Sequence, residues 1–388
     1  MKSGFWLYIL LIQFAFLKSQ SDSLYNFFVP ELRTNLGYII PAYPGVPKSS
    51  AAVLMNIGFT WQTRGKDKWH QYYHYPRFGA DLYMNSFGNQ KELGYGLGVI
   101  PFLELNSKNE SKKWQFKFGM GIAYFSKHFD LSSNPNNFYV GSHFSNMTAA
   151  VISWRKPVKE KFEFIYGLST IHFSNGHTAL PNAGMNIVNL NLGLRVLKTN
   201  TKFHYTDSIK KENYFFTTKV GIGFHEFGPT SKPVGGPGYP SYHLSNWVSK
   251  QKGKIHLWEL GFTYAYYTSF YDYIVDQEVY NEKQHIKAST LVLFAGHEFV
   301  FGKFSLSSQM GFYIYNPFFK KQKQIEGTWD SFGEKLESFN TNRVGILYFP
   351  LKKKNSLNNI SKQLFLGAYI KANLAQADLL EYSVGYTF

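Results

Sequence analysis

Apolar side chains recur at every second position along most of this chain. From Ala51 to Trp61 they are Val53, Met55, Ile57, Phe59 and Trp61, with Asn56 and Thr60 on the other parity. Trp114, Phe116, Phe118, Met120, Ile122 and Tyr124 alternate with Gln115, Lys117 and Gly119, and Leu93, Tyr95, Leu97 and Val99 alternate with glycines. A period of two is that of a β-strand with one apolar face. Similar segments occupy 146–155, 161–174, 186–196, 213–226, 240–250, 254–267, 287–300, 303–315, 341–349 and 363–374, with weaker ones at 31–40 and 68–85. No stretch of comparable length has the 3.6-residue period of an amphipathic helix.

Connections between these segments alternate in length. Short ones lie at 63–66, 155–160 and 301–303, and long ones at 126–143, 227–240 and 316–340. Short periplasmic turns and long external loops are the habit of outer-membrane barrels, whose lipid-facing and lumen-facing residues also alternate. The fold class expected is therefore all-β: an antiparallel transmembrane β-barrel with an even number of strands, about 12–16.

Composition sharpens this. The chain holds 37 Phe and 28 Tyr, yet its mean hydropathy is only −0.26, which excludes a bundle of membrane helices. Lys2 followed by the apolar run Phe5–Leu17 and small residues at Ser19 and Ser21 reads as a secretory signal peptide. The expected organisation is a signal peptide over 1–21 and one barrel domain over 22–388, exported to the bacterial outer membrane. An exported barrel needs no disulfide, and cysteine is absent. The net charge of +16 reads as lysine-rich turns or attraction to phosphorylated lipid head groups, with nucleic acid a poor third option. Lys320, Lys321 and Lys323 after Phe318-Phe319 form a basic loop on the expected external side that could hold a lipid phosphate, although most such runs are merely solvated. His74, His256 and His297 lack metal-ligand spacing, so no metal is expected.

The segment Ile171–Arg195, IHFSNGHTALPNAGMNIVNLNLGLR, carries the candidate chemistry. His172 and Ser174 share the parity of Phe162, Phe164, Tyr166 and Leu168, and Asn186 shares that of Val188, Leu190, Leu192 and Leu194. Glu163 and Arg195 sit on the opposite, lumen-facing parity. In a barrel the greasy parity faces lipid, and the turn lengths place Ser174 near the external rim. A base beside a hydroxyl is the raw material of a serine esterase. At that height, the outer leaflet's glycolipid carries its ester-linked acyl chains.

The residues His172-Phe-Ser174-Asn175, Pro181-Asn182 and Gly184 resemble the motif of the lipid A 3-O-deacylase (PagL) family of outer-membrane esterases, gapless up to position 186. The resemblance implies His172 as general base and Ser174 as nucleophile. It implies an anion-stabilising role for the turn at Asn175, Gly176 and His177, helped by the Asn182 amide, with no cofactor. Where the family has a glutamate, this chain has Asn186. An asparagine carbonyl can orient the imidazole but adds no negative charge, so Asn186 implies a slower enzyme, a different acid nearby, or a barrel without catalysis. The substrate implied is lipid A or lipopolysaccharide of the outer leaflet. The last residues, alternating to the terminal Phe388, are similar to the signal read by the barrel-assembly machinery. The competing functions are a transport pore lined by Lys117, Glu163 and Arg195, and a barrel that only binds.

Overall fold

The computed structural model describes residues 28–41, 43–108, 113–158, 161–196, 213–229, 235–252, 255–351, 363–374 and 376–388. The expected signal peptide, 1–21, lies outside the described residues.

Eight strands come first: β1 (Phe28–Ile40), β2 (Ala52–Gln62), β3 (Arg77–Ser86), β4 (Tyr95–Asn106), β5 (Trp114–Phe125), β6 (Phe144–Pro157), β7 (Phe162–Ser174) and β8 (Met185–Val196). Each pairs antiparallel with the next, and β8 returns to β1 from Arg195↔Glu31 to Asn186↔Ile40. This closes a first barrel. Eight more follow: β9 (Tyr214–Glu226), β10 (Gly238–Lys252), β11 (His256–Tyr267), β12 (Ser289–Phe301), β13 (Phe304–Tyr315), β14 (Asn340–Tyr348), β15 (Gln363–Asn373) and β16 (Gln376–Thr387). They close a second barrel where β16 pairs with β9, from Leu380↔Phe224 to Thr387↔Thr217.

The expectation of one barrel domain over 22–388 is thus corrected. Among the described residues there are sixteen strands, but they close twice. The physical consequence is large, because an eight-stranded barrel is just wide enough for side chains to fill, whereas sixteen strands enclose a water channel. A second correction concerns 68–85. Its first part is a short helix, Lys68–Tyr72, in the turn between β2 and β3, and the strand begins only at Arg77. Among the described residues no helix is long and apolar enough to cross a membrane.

The period of two decides what faces where. Leu32, Leu36, Leu190, Leu192, Leu194, Leu260 and Phe262 are among many large apolar residues exposed on the outer walls. Such a contiguous belt suits lipid. The lumen of the first barrel is packed. The half beside the 126–143 loop holds an apolar cluster of Ile39, Leu54, Phe87, Phe125, Met147, Phe173 and Met185, capped by Tyr139 from that loop. Its other half holds charges that satisfy one another. Arg195 meets Glu31 at 2.5 Å, Glu104 at 2.6 Å and Glu163 at 3.3 Å, and Lys117 meets Glu31 and Asp81, each at 3.2 Å. In the second barrel Glu381 accepts from Lys219 at 2.5 Å and faces Arg343 at 3.5 Å.

The barrels touch at both ends. Trp69 and Tyr73, in the β2–β3 turn, cluster with Phe215, Leu257 and Val300 of the second barrel, and the Tyr73 ring lies 4.5 Å from that of Phe301. At the opposite end, the loop after β7 docks on the loop after β9.

Candidate active site on the outer wall

Strand β7 ends in Ile171-His172-Phe173-Ser174. Ile171 and Phe173 are fully buried in the lumen cluster, which turns the intervening His172 and the following Ser174 to the outer wall. His172 pairs in register with Asn186 of β8, so their side chains emerge side by side. The imidazole Nδ1–H donates to the Asn186 carbonyl oxygen at 2.8 Å. That bond fixes the tautomer and leaves Nε2 unprotonated and free to act as a base.

Ser174 is nearly buried, at 7% exposure, under its own loop. Two donors converge on its Oγ: the Asn182 side-chain amide at 2.9 Å and the Gly176 backbone N–H at 3.2 Å. The oxygen accepts both bonds through its lone pairs, which leaves the O–H hydrogen to be donated, and no bond joins it to His172. Both N–H groups lie within reach of the space beside Oγ, where the carbonyl oxygen of an ester attacked by the serine would carry its charge. The Asn182 amide is itself held, because its Oδ1 accepts the Asn175 backbone N–H at 3.1 Å. The Asn175 side chain donates to the Ala179 carbonyl at 2.6 Å and tightens the loop.

Gly184 closes this loop with φ +71°, a conformation that side chains resist, and a β-carbon there would lie 3.2 Å from His172 Cε1. The glycine therefore lets the backbone run against the imidazole edge.

Of the residues singled out in the sequence, His172, Ser174, Asn186, Asn182 and Gly176 come together. Asn175 contributes its backbone N–H to Asn182 rather than to the serine. His177 has its ring committed to the second barrel, where Nε2 donates to the Gly228 carbonyl at 3.1 Å. Burial pulls the His177 imidazole below its ordinary value, so it stays neutral, as a single-donor role requires. Sequence reasoning missed Glu226, whose carboxylate accepts the Leu180 N–H of this loop at 2.6 Å. Lys323 is held by Glu334 at 3.1 Å and Glu326 at 3.3 Å, while Lys320 lies over the Trp329 ring. The charge of Lys323 is thus already balanced within the loop.

A second serine–histidine pair exists and makes an instructive contrast. In the lumen of the second barrel, Ser241 Oγ lies 2.9 Å from His243 Nε2. Here Arg343, which can only donate, points at Nδ1 at 3.2 Å. Nδ1 must then accept, Nε2 carries the proton, and the histidine donates to the serine instead of deprotonating it. Both residues are buried. This pair is structural.

A family model described as lipid A 3-O-deacylase (PagL) matches residues 55–195, and one described as acyloxyacyl hydrolase, C-terminal domain, matches residues 213–348. The two matches fall on the first and second barrels respectively. The first barrel is thus similar to the PagL family and the second to the acyloxyacyl hydrolase C-terminal domain. Among solved structures, the outer-membrane enzyme PagL is similar with 13% identity and a TM-score of 0.29, over 42% of this chain and 97% of that one. A triple mutant of the Rhodopseudomonas blastica porin aligns with 8% identity and a TM-score of 0.18, over 93% of this chain and 99% of that one. No curated protein matches the chain.

Proposed function

We propose that this protein is an outer-membrane esterase that removes ester-linked acyl chains from lipid A, acting from the lipid-facing wall of its first barrel. The observation that carries the reading is the His172–Asn186 bond. It presents a correctly protonated base on the outer surface, on the same strand face as a serine already met by two N–H donors. A nucleophile on the lipid side suits an ester that lies in the outer leaflet.

Ser174 Oγ attacks the acyl carbonyl while His172 Nε2 takes its proton. The carbonyl oxygen becomes negative and is stabilised by the Asn182 amide and the Gly176 N–H. Collapse expels the sugar hydroxyl, protonated by His172, and leaves an acyl-serine. Water, deprotonated by the same nitrogen, then releases the fatty acid. Asn186 holds the imidazole throughout but brings no charge to the imidazolium. The substrate partner in this reading is lipopolysaccharide of the outer leaflet, and the Phe388 segment is the contact for barrel assembly. The filled lumens of both barrels speak against the pore.

Purified protein, refolded in detergent, is incubated with lipid A and the products are read by mass spectrometry. Release of fatty acid that disappears in Ser174→Ala supports the reading. Equal release by wild type and mutant, or none by either, sinks it.

A further inference from the structure

We propose that Glu226, carried by the second barrel, positions the nucleophile loop of the first. The inference rests on the ester-hydrolase reading above and names what the second barrel does for that site.

The loop 175–184 supplies both donors to Ser174. Its last residues are held by the first barrel's own 126–143 loop, where the Ala183 and Gly184 N–H groups donate to the Phe138 and Tyr139 carbonyls at 3.0 and 3.2 Å. Its middle, from 176 to 180, turns instead to the second barrel, and the contacts there converge on Glu226. Glu226 Oε2 accepts the Leu180 N–H at 2.6 Å, and Glu226 Oε1 accepts the Gly236 N–H of its own barrel's loop at 2.7 Å. The Glu226 backbone N–H donates to the His177 carbonyl at 2.8 Å, and the His177 ring donates to Gly228 at 3.1 Å. Beneath them a β-carbon at Gly176 would lie 3.5 Å from Leu380 Cβ on the wall of β16. The loop is therefore clamped to the second barrel at 176, 177 and 180.

Leu180 stands two residues before Asn182, the side-chain donor on Ser174 Oγ. A displacement at Leu180 is passed to that amide through only two peptide units. The clamp is chemically specific as well. Both partners of the carboxylate are N–H donors, and an ionised carboxylate only accepts. A glutamine of the same shape would turn its NH₂ toward one of them. Glu226 is 4% exposed, so water does not replace a lost bond there. Its role is positional, since it touches the loop and not the reacting atoms.

The test uses the full chain in detergent micelles with Glu226→Gln and, as a second variant that does not touch the carboxylate, His177→Phe. Folded protein is quantified by its heat-modifiable mobility, and kcat and KM for lipid A are measured per folded molecule. The labelling rate of Ser174 by a fluorophosphonate is measured alongside. We expect kcat and labelling to fall by about 10²-fold in Glu226→Gln, the scale of a displacement near 1 Å, with KM nearly unchanged. His177→Phe should fall less. A merely structural residue would lower the folded yield and leave kcat per folded molecule intact. If the wild type is active, Ser174→Ala is inactive, and both variants keep full kcat, the clamp is refuted while the site stands. If Glu226→Gln does not fold, His177→Phe decides alone. If the wild type neither hydrolyses lipid A nor is labelled at Ser174, the site reading fails and the clamp with it.

Discussion

His172 Nδ1 and Asn186 Oδ1 meet at 2.8 Å across the β7–β8 pair, so an amide stands where a carboxylate would complete a triad. In a serine protease, exchanging the acid for its amide costs about 10⁴-fold, largely through the wrong tautomer. Here the amide oxygen faces the ring and the tautomer is right. What is missing is the charge that stabilises the imidazolium. Asn186→Glu should therefore raise kcat, by roughly 10-fold or more on the scale of a charge-assisted hydrogen bond. Asn186→Ala should lower it, because the ring loses its orientation. Steady-state hydrolysis of lipid A checks both. A fall in Asn186→Glu would mean that the amide is tuned to this site.

Gly184→Ala tests the backbone beside the base. The added carbon must take a positive φ and approach His172 Cε1 at 3.2 Å. The backbone strain alone costs about 1–2 kcal/mol, which a closed barrel tolerates. The displaced imidazole should cost far more in function, with kcat down by about 10²-fold. Unfolding in urea should shift little. Unchanged turnover in a folded Gly184→Ala would show that the ring edge at Gly184 does not matter.

Much of this site was legible in the sequence, because strand parity is a local property. His172 and Ser174 fell on the apolar face by counting alternate residues, whereas Asn186 and Asn182 were marked by the resemblance to the PagL motif. The alternation also bounded the strands at about 12–16, without fixing their number. The double closure was not legible, since β8 and β9 look alike as strands and only the long-range pairing of β1 with β8 ends the first barrel. Glu226 was equally hidden. Its partners Leu180 and Gly236 lie 46 and 10 residues away, so no local pattern marks it. Nor could the sequence show that Lys323 finds its counter-charge Glu334 eleven residues on, within the same loop.

The packed lumens predict a silent bilayer. Lys117, Glu163 and Arg195 face inward, as a pore lining would, but each is buried in an ion-paired network and an apolar plug lies above them. Ion passage would require dismantling that network. Planar-bilayer recordings of the refolded protein should show no steady conductance. Steady open channels would overturn the description of either lumen as filled.

Arg195 offers the sharpest test of what holds the first barrel together. Its guanidinium is wholly buried and reaches Glu31, Glu104 and Glu163, carboxylates from three different strands. Replacing such a network by apolar residues throughout can be neutral, but removing one partner leaves the rest uncompensated in a dry interior. Arg195→Met should therefore destabilise the barrel by about 3–5 kcal/mol. Arg195→Lys should be intermediate, because a single ammonium keeps the charge but lacks the fork that spans three acids. Adding Glu163→Gln to Arg195→Met should recover part of the loss, since Glu163 keeps only Arg155, at 3.8 Å, once the guanidinium is gone. Heat-modifiable mobility and urea unfolding of the four proteins measure this directly. Equal stability of wild type and Arg195→Met would show that water or rearranged partners, rather than the guanidinium, satisfy those carboxylates.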